Sequence, residues 1–135
     1  MINDSCLDNP AIRVAMLPRD TNAAGTIFGG VILSYIDMAA AIEARKTVTT
    51  KIVTVAMREV VFKAPVFVGD LVSFYTSTVK VGRTSITIKV LVEAERWMKW
   101  GERARVTEAE VIYVAVDEQG HPMEIPERRP PEPAQ

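Results

Sequence analysis

One stretch of the sequence limits the fold more than any other, because it predicts a helix that is apolar around nearly its whole circumference. Residues 30 to about 47 are rich in Ala, Ile, Leu and Met, contain no proline, and end with the cations Arg45 and Lys46. A surface helix would keep one polar side, whereas this one is apolar on all sides through Ile42. The chain therefore needs a broad element that surrounds this helix.

Four segments after the helix are dense in Val, Ile, Thr, Tyr and Phe, the residues that favour strands. They span residues 52–62, 71–81, 84 to about 97, and 102–116, and a shorter strand is expected at 12–17. The links between the four long strands are short, so we expect antiparallel neighbours in a meander. We predict an α+β fold in which a curved antiparallel sheet wraps one long central helix.

The length of 135 residues fits one ordinary domain. We expect that domain to span residues 1–123. Residues 124–135 combine mixed charges with four prolines, so they cannot continue a sheet and are predicted to form a flexible tail.

Composition limits the partners and the compartment. A net charge of −1 argues against a nucleic-acid partner, which requires a concentrated positive field. Cys6 is the only cysteine, which excludes an intrachain disulfide and a cysteine-based zinc site. The amino terminus lacks a secretory signal, and the apolar stretch 27–42 is shorter than the roughly 20 residues of a membrane span. We expect a soluble, cytoplasmic protein with no membrane partner.

Common catalytic signatures are absent from the sequence. It contains no GxSxG elbow, no GxxxxGK[ST] phosphate loop and no HExxH metal helix. His121, the only histidine, lies in a turn beside Gly120 and Pro122, where a solvated turn residue is favoured over a general base. Histidine-based triads are therefore excluded, and no metal or separate cofactor is predicted.

The residues that can carry chemistry lie at the start and in the middle of the predicted helix. Gly29 and Gly30 would let a ligand approach free backbone N–H groups, where the helix dipole favours negative charge. This is a candidate oxyanion site. Asp37 projects from a face of small and apolar residues, and it is either a catalytic carboxylate or a structural one that bonds Ser34 or nearby backbone.

The spacing between these groups points to a dimer. Gly30 and Asp37 are seven residues apart, which corresponds to about 10 Å along a helix. Within one subunit they cannot act on the same carbonyl group. If two helices pack antiparallel across a twofold axis, Asp37 of one subunit can approach the amino end of the other helix.

A series of short motifs extends from about residue 16 to residue 126. They are Leu17-Pro18, Asp20-Thr21-Asn22, Ile27-Phe28-Gly29-Gly30, Asp37, Ile52-Val53-Thr54-Val55, Pro65-Val66-Phe67-Val68-Gly69-Asp70, Thr107-Glu108-Ala109 and Tyr113-Val114-Ala115-Val116-Asp117. Together these motifs resemble those of the hotdog-fold acyl-CoA thioesterases, particularly the YciA-like bacterial and the cytosolic acyl-CoA hydrolases.

The resemblance implies a hotdog fold, dimers with a continuous sheet, and assembly into trimers of dimers. It implies hydrolysis of acyl-CoA to a carboxylic acid and CoA, with Asp37 as general base or nucleophile. Asn22 would help to hold the thioester or water, and Gly30 would supply a carbonyl-binding amide from the partner subunit. Alternatively, Asn22 serves only an Asx turn and Gly29-Gly30 only close packing.

Coenzyme A carries phosphates, so a nearly neutral protein must gather cations where the nucleotide binds. The turn Gly82-Arg83-Thr84-Ser85 resembles the nucleotide-contacting turn of the family, and Gly29 is assigned to substrate binding with it. The further candidate cations, each of which can instead be only solvated, are Arg58, Lys63, Arg103 and Arg105.

Two other functions compete with hydrolysis. A non-catalytic acyl-CoA-binding or regulatory hotdog protein is the main alternative, although such a protein has no need of a carboxylate at the thioester. An enoyl-CoA hydratase or acyl-carrier dehydratase would place a catalytic histidine near the helix, and this sequence has none there. The segment 96–100 has no role that the sequence suggests.

Overall fold

A computed structural model describes residues 9–99 and 101–126, and it consists of one long helix packed on one sheet. The elements in chain order are β1 (Ile12–Ala15), a short 3-10 helix (Pro18–Asp20), α1 (Gly29–Ala44), β2 (Lys51–Arg58), β3 (Leu71–Val81), β4 (Ser85–Glu95) and β5 (Arg103–Val116). The strand order is β1-β3-β4-β5-β2, and every neighbouring pair is antiparallel. The predicted α+β architecture is confirmed.

The core lies between α1 and the inner face of the sheet. Ile32, Ile36 and three alanines of the helix are buried, and they pack in one cluster with inward-facing residues of β3, β4 and β5. The small alanine side chains allow the helix and the sheet to approach closely. The far side of the helix is open in the single chain, where Met38 and Ile42 are exposed. Five strands thus cover one side of the helix rather than its full circumference.

The predicted meander is wrong for β2. This strand pairs with β5 and not with β3, so only β3, β4 and β5 follow one another as neighbours. The link of residues 59–70 makes this possible, because it leaves β2 through a left-handed residue at Glu59 (φ 59°) and passes beside the start of β5. There the Lys63 N–H donates to Val106 O at 2.7 Å.

Four element ends also differ from the prediction, and the first is that of β1, which stops at Ala15 and not at residue 17. The helix stops at Ala44, after which Arg45 to Thr47 form turn bonds instead of continuing to residue 47. The strand predicted to reach residue 62 stops at Arg58, since the backbone of Glu59 cannot continue a strand. Strand β4 stops at Glu95, where the Arg96 N–H bonds Glu102 O and closes the hairpin.

The carboxyl-terminal end of the described chain lies against the domain. The Met123 N–H donates to Ala115 O and the Ile125 N–H to Arg83 O, each at 2.8 Å. The domain boundary at residue 123 stays a prediction, and the rest of the predicted tail, 127–135, falls outside the described residues, as does Cys6. In the part of the chain that is described, no helix is both long and apolar enough to cross a membrane.

Candidate functional site

Asp37 lies in the middle of α1 and faces the point where β2 and β5 run side by side. The Tyr113 hydroxyl lies 2.8 Å from Asp37 Oδ1 and 2.6 Å from the main-chain oxygen of the same residue. The Thr54 hydroxyl donates to Oδ1 at 2.9 Å. Thr54 and Tyr113 are cross-strand partners, so the pairing of β2 with β5 places both hydroxyls under one carboxylate oxygen. Ser34 instead donates to Val31 O.

The two oxygens of the Asp37 carboxylate therefore differ. Within residues 9–99 and 101–126, Oδ1 accepts bonds from side chains of two strands, while Oδ2 has no hydrogen-bond donor. Burial raises the pKa of the Tyr113 phenol well above its ordinary value, and the hydrogen bond and charge of Asp37 raise it further. The phenol consequently keeps its proton and remains a donor. Oδ2 is therefore the carboxylate oxygen that is open to a ligand.

At the start of α1, Gly30 is in close contact with the Phe28 ring, which matches the close-packing alternative, whereas Gly29 has room for a side chain. A Cβ on Gly30 would lie 2.5 Å from Cε1 of Phe28, and one on Gly29 would lie 3.7 Å from the Phe62 ring. The N–H groups in the first turn of a helix have no acceptor within the helix. A cavity of about 320 Å³ opens beside them, lined by Thr26, Ile27, Gly29, Ile32, Phe62, Lys63, Ala64, Pro65 and Val66.

Asn22 is engaged within its own loop. Its Oδ1 accepts the N–H groups of Ala24 at 2.9 Å and Thr26 at 3.3 Å, and its Nδ2 donates to the Thr26 hydroxyl at 3.0 Å. These bonds match the Asx-turn alternative. A contact of Asn22 with thioester or water stays a prediction.

Gly30 and Asp37 do not meet within one chain. Both lie on the single helix Gly29–Ala44, so the seven-residue spacing holds them about 10 Å apart along its axis. A site that uses both residues needs a second subunit.

The Arg83 turn lies at the β3–β4 hairpin. Arg83 forms an ion pair with Glu124 at 3.3 Å, and the two side chains are 79% and 70% exposed. The turn is closed by the Gly82 N–H, which donates to Ser85 O, while Thr84 O accepts the N–H of Ala115. A cavity of about 480 Å³ adjoins it, lined by Thr47, Val81, Gly82, Arg83, Glu124, Ile125 and Pro126.

The other candidate cations lie away from this turn. Three of them form ion pairs along the sheet, Arg58 with Glu110, Arg103 with Glu93, and Arg105 with Glu108. The fourth, Lys63, lines the cavity at the helix start. Arg103 pairs with Glu95 at the end of β4, whereas the Arg83 turn precedes Ser85 at the start of this strand. The two ends of β4 are roughly 30 Å apart. One chain therefore does not gather all the predicted cations.

Sequence reasoning did not assign a role to Tyr113 or Thr54. Their contacts with Asp37 span 76 and 17 residues of sequence, and no local pattern encodes them. One signal was present, because strand alternation places Tyr113 on the same inward face as Val111 and Ala115. A tyrosine among core aliphatic residues needs a partner for its hydroxyl.

The central helix on an antiparallel sheet, with an anchored aspartate at mid-helix, is the architecture of the hotdog fold. The model of the Thioesterase superfamily matches residues 24–100, more than half of the chain. The chain belongs to this superfamily.

Named relatives and solved structures agree with this membership. The acyl-CoA thioester hydrolase YciA of Salmonella typhimurium is 42% identical over 85% of this chain and 88% of its own length. A hexameric hotdog-fold thioesterase of Campylobacter jejuni superposes with a TM-score of 0.81 and 45% identity, over 87% and 90% of the two chains. A hexameric broad-specificity acyl-coenzyme A thioesterase superposes with a TM-score of 0.82 and is 43% identical, over 87% of this chain and 81% of its own.

Proposed function

We propose that this protein hydrolyses acyl-CoA thioesters to a carboxylic acid and CoA, in sites that two subunits build together. The observation that carries the proposal is the Asp37 carboxylate, with Oδ1 held by Tyr113 and Thr54 and Oδ2 open. Relatives 42% identical and more are named as acyl-CoA thioester hydrolases, which supports this substrate class.

An apolar surface supports the dimer. Phe28, Met38, Ile42, Val55 and Phe62 are all more than two-fifths exposed, and they belong to α1, β2 and the segments that follow or precede them. Strand β2 is also an edge strand, since β5 is its one neighbour in the described sheet. Two β2 edges that pair about a twofold axis would extend the sheet and cover this surface.

Antiparallel association would also bring the separated groups together. The helix start of one subunit, with Gly30 and Lys63, would lie near Asp37 and the Arg83 turn of the other. Phosphates of one CoA could then be met by cations from both chains. We further propose that three such dimers form a hexamer, because the two solved structures compared above are hexameric.

The chemistry follows from these positions. The N–H of Gly30 from the partner subunit would hold the thioester oxygen and stabilise the negative charge that develops on it. As a general base, Asp37 Oδ2 takes a proton from water, the water oxygen attacks the carbonyl carbon, the C–S bond breaks, and the proton passes to the CoA thiolate. As a nucleophile, Oδ2 attacks the same carbon and the C–S bond breaks, so that CoA leaves as a thiolate. Water then hydrolyses the resulting anhydride to the carboxylic acid and the Asp37 carboxylate, and the proton released balances the one that the thiolate takes up from solvent.

A panel of acyl-CoA substrates of increasing chain length, scored by release of free thiol, tests the proposal. We expect turnover of at least part of the panel, with the preferred length set by the pocket between subunits. Saturable binding of every acyl-CoA without thiol release would instead identify a regulatory binding protein. A single turnover in ¹⁸O-labelled water examines the route, because label recovered in Asp37 reports the anhydride.

A further inference from the structure

The segment that follows β4 contains a nearly buried arginine with an unusual set of partners. Arg96, whose side chain is 13% exposed, places Nη1 2.6 Å from Asp70 Oδ2 and 2.9 Å from Pro65 O. Its guanidinium carbon lies 5.0 Å from the centre of the Phe67 ring. The Asp70 side chain is 4% exposed and also accepts the Phe67 N–H at 2.9 Å. One guanidinium thus ties together three residues of the link between β2 and β3.

The same link holds the start of the central helix. The Ile27 N–H, two residues before α1, donates to Val66 O at 2.8 Å. Pro65 and Val66 line the cavity that also contains Gly29. Arg96 therefore bonds a residue that lines this cavity, Pro65. The next residue, Val66, accepts the hydrogen bond from Ile27 that holds the segment leading into the helix.

The Trp97 ring packs on Gly69 of the same link. Gly69 has φ 89°, and a Cβ at this position would lie 2.7 Å from Cε3 of the Trp97 ring. Both the backbone conformation and the close ring require glycine here. Arg96 and Trp97, which are consecutive in the sequence, therefore both contact the link between β2 and β3.

A buried arginine–carboxylate pair is weak evidence for stability, since an apolar pair of similar volume often serves as well. Its advantage lies in geometry, because the two hydrogen bonds of Nη1 and the contact of the guanidinium carbon with the Phe67 ring are held in fixed relation by one planar group, which a lysine ammonium does not provide. We propose that Arg96 is a positioning residue, which fixes the wall of the cavity and the start of α1 so that the Gly30 amide meets the thioester oxygen. This role rests on the proposed function, and Arg96 itself does not touch the substrate.

Two variants with a matched control test the role. Arg96→Lys keeps the charge without the planar donors, and Arg96→Met removes the charge. Lys99→Met removes a charge three residues away, from a side chain 74% exposed. At a temperature well below the Tm of each protein, both Arg96 variants should lose between about tenfold and 10²-fold in kcat. Inhibition by free CoA should stay unchanged, and Lys99→Met should behave as wild type.

Amide hydrogen exchange gives a readout that does not depend on activity. Exchange of the Ile27 N–H should become faster in Arg96→Lys, while amides of β4 and β5 far from Arg96 keep wild-type rates. Wild-type kcat and unchanged Ile27 exchange in Arg96→Lys would overturn the role, as would faster exchange spread evenly over the domain. If the wild-type protein releases no thiol, the hydrolase proposal fails, and Ile27 exchange still decides whether Arg96 positions the helix start. If Arg96→Met does not fold, Arg96→Lys carries the test.

Discussion

The Asp37 carboxylate and the Arg83 guanidinium, the two ends of the proposed site within one subunit, are held in opposite ways. Asp37 is fixed through Oδ1 by hydroxyls from two paired strands, one of them on the buried Tyr113. The Arg83 side chain is 79% exposed and pairs with that of Glu124, which is 70% exposed. An exposed ion pair of this kind contributes about 0–1 kcal/mol, and a phosphate can replace its carboxylate at little cost.

This difference matches two kinds of task. A group that acts on a reacting carbonyl has to be in position before the substrate arrives, because small displacements cost large factors in rate. A group that binds a flexible nucleotide can adjust after contact. We therefore expect changes around Asp37 to lower kcat and changes around Arg83 to raise KM.

The largest effect is expected at Asp37 itself. Asp37→Ala and Asp37→Asn should each lower kcat by about 10²-fold or more, because a positioned base or nucleophile is lost. Asn keeps the size and can still accept the bonds of Tyr113 and Thr54, so it separates charge from shape. Steady-state thiol release and native mass measure activity and assembly. Near wild-type turnover in purified Asp37→Ala would end the mechanism proposed for this residue.

A smaller loss of kcat is expected when the anchor is removed. Tyr113→Phe deletes the hydroxyl that bonds Asp37 Oδ1 at 2.8 Å, a charge-assisted bond worth about 1.5–3 kcal/mol. A fall in kcat of about tenfold or more should follow, with little change in KM. Steady-state kinetics and Tm are measured on the same preparations of Tyr113→Phe and the wild type, so that a loss of kcat can be separated from a loss of stability.

Tyr75→Phe provides the control for that experiment. Tyr75 is also buried, but its hydroxyl bonds Arg13 on the outer face of the sheet at 3.4 Å. Tyr75→Phe should lower the Tm somewhat and leave kcat unchanged. Equal losses of kcat in the two variants would mean that any buried tyrosine matters, and the anchor role of Tyr113 would fall.

The smallest effect is expected at the Arg83 turn. Arg83→Ala should raise KM by no more than about fivefold, since an exposed contact is worth up to about 1 kcal/mol. The increase should appear with acyl-CoA and not with acyl-pantetheine, which lacks the nucleotide phosphates. Glu124→Gln should lower KM for acyl-CoA slightly, because it frees Arg83 from its ion pair. Equal KM changes for both substrates would contradict a nucleotide contact.

The helix and most strands were predictable because their signals are local. A continuous apolar run specifies α1, and dense β-branched segments specify β3, β4 and β5 within a few residues. The position of β2 in the sheet was not predictable, because its pairing with β5 depends on a crossover link and not on any pattern within β2.

The same reason limits what the sequence reveals of the site. Asp37 stands out as a carboxylate in an apolar helix, and so it was predicted. The partners that hold it come from β2 and β5, which meet only in the folded sheet. The segment that begins with Arg96 had no role in the sequence analysis, because the residues to which Arg96 donates hydrogen bonds lie 26 and 31 positions away in the chain.

In the proposed site, Asp37 of one subunit works with Gly30 of the partner subunit. Asp37→Ala removes the carboxylate, and Gly30→Pro removes the amide hydrogen in the first turn of the helix. The proline Cβ would displace the exposed Phe28 ring, so the Tm and native mass of Gly30→Pro are measured before its activity. Each variant should be inactive alone. The measurement is thiol release after the two are co-expressed or reassembled, with mixed dimers confirmed by native mass. Each mixed dimer then has one site with both defects and one with neither, so up to half of its sites should recover. Confirmed mixed dimers that remain inactive would contradict the shared site, because residues drawn from one chain would leave a defect in every site.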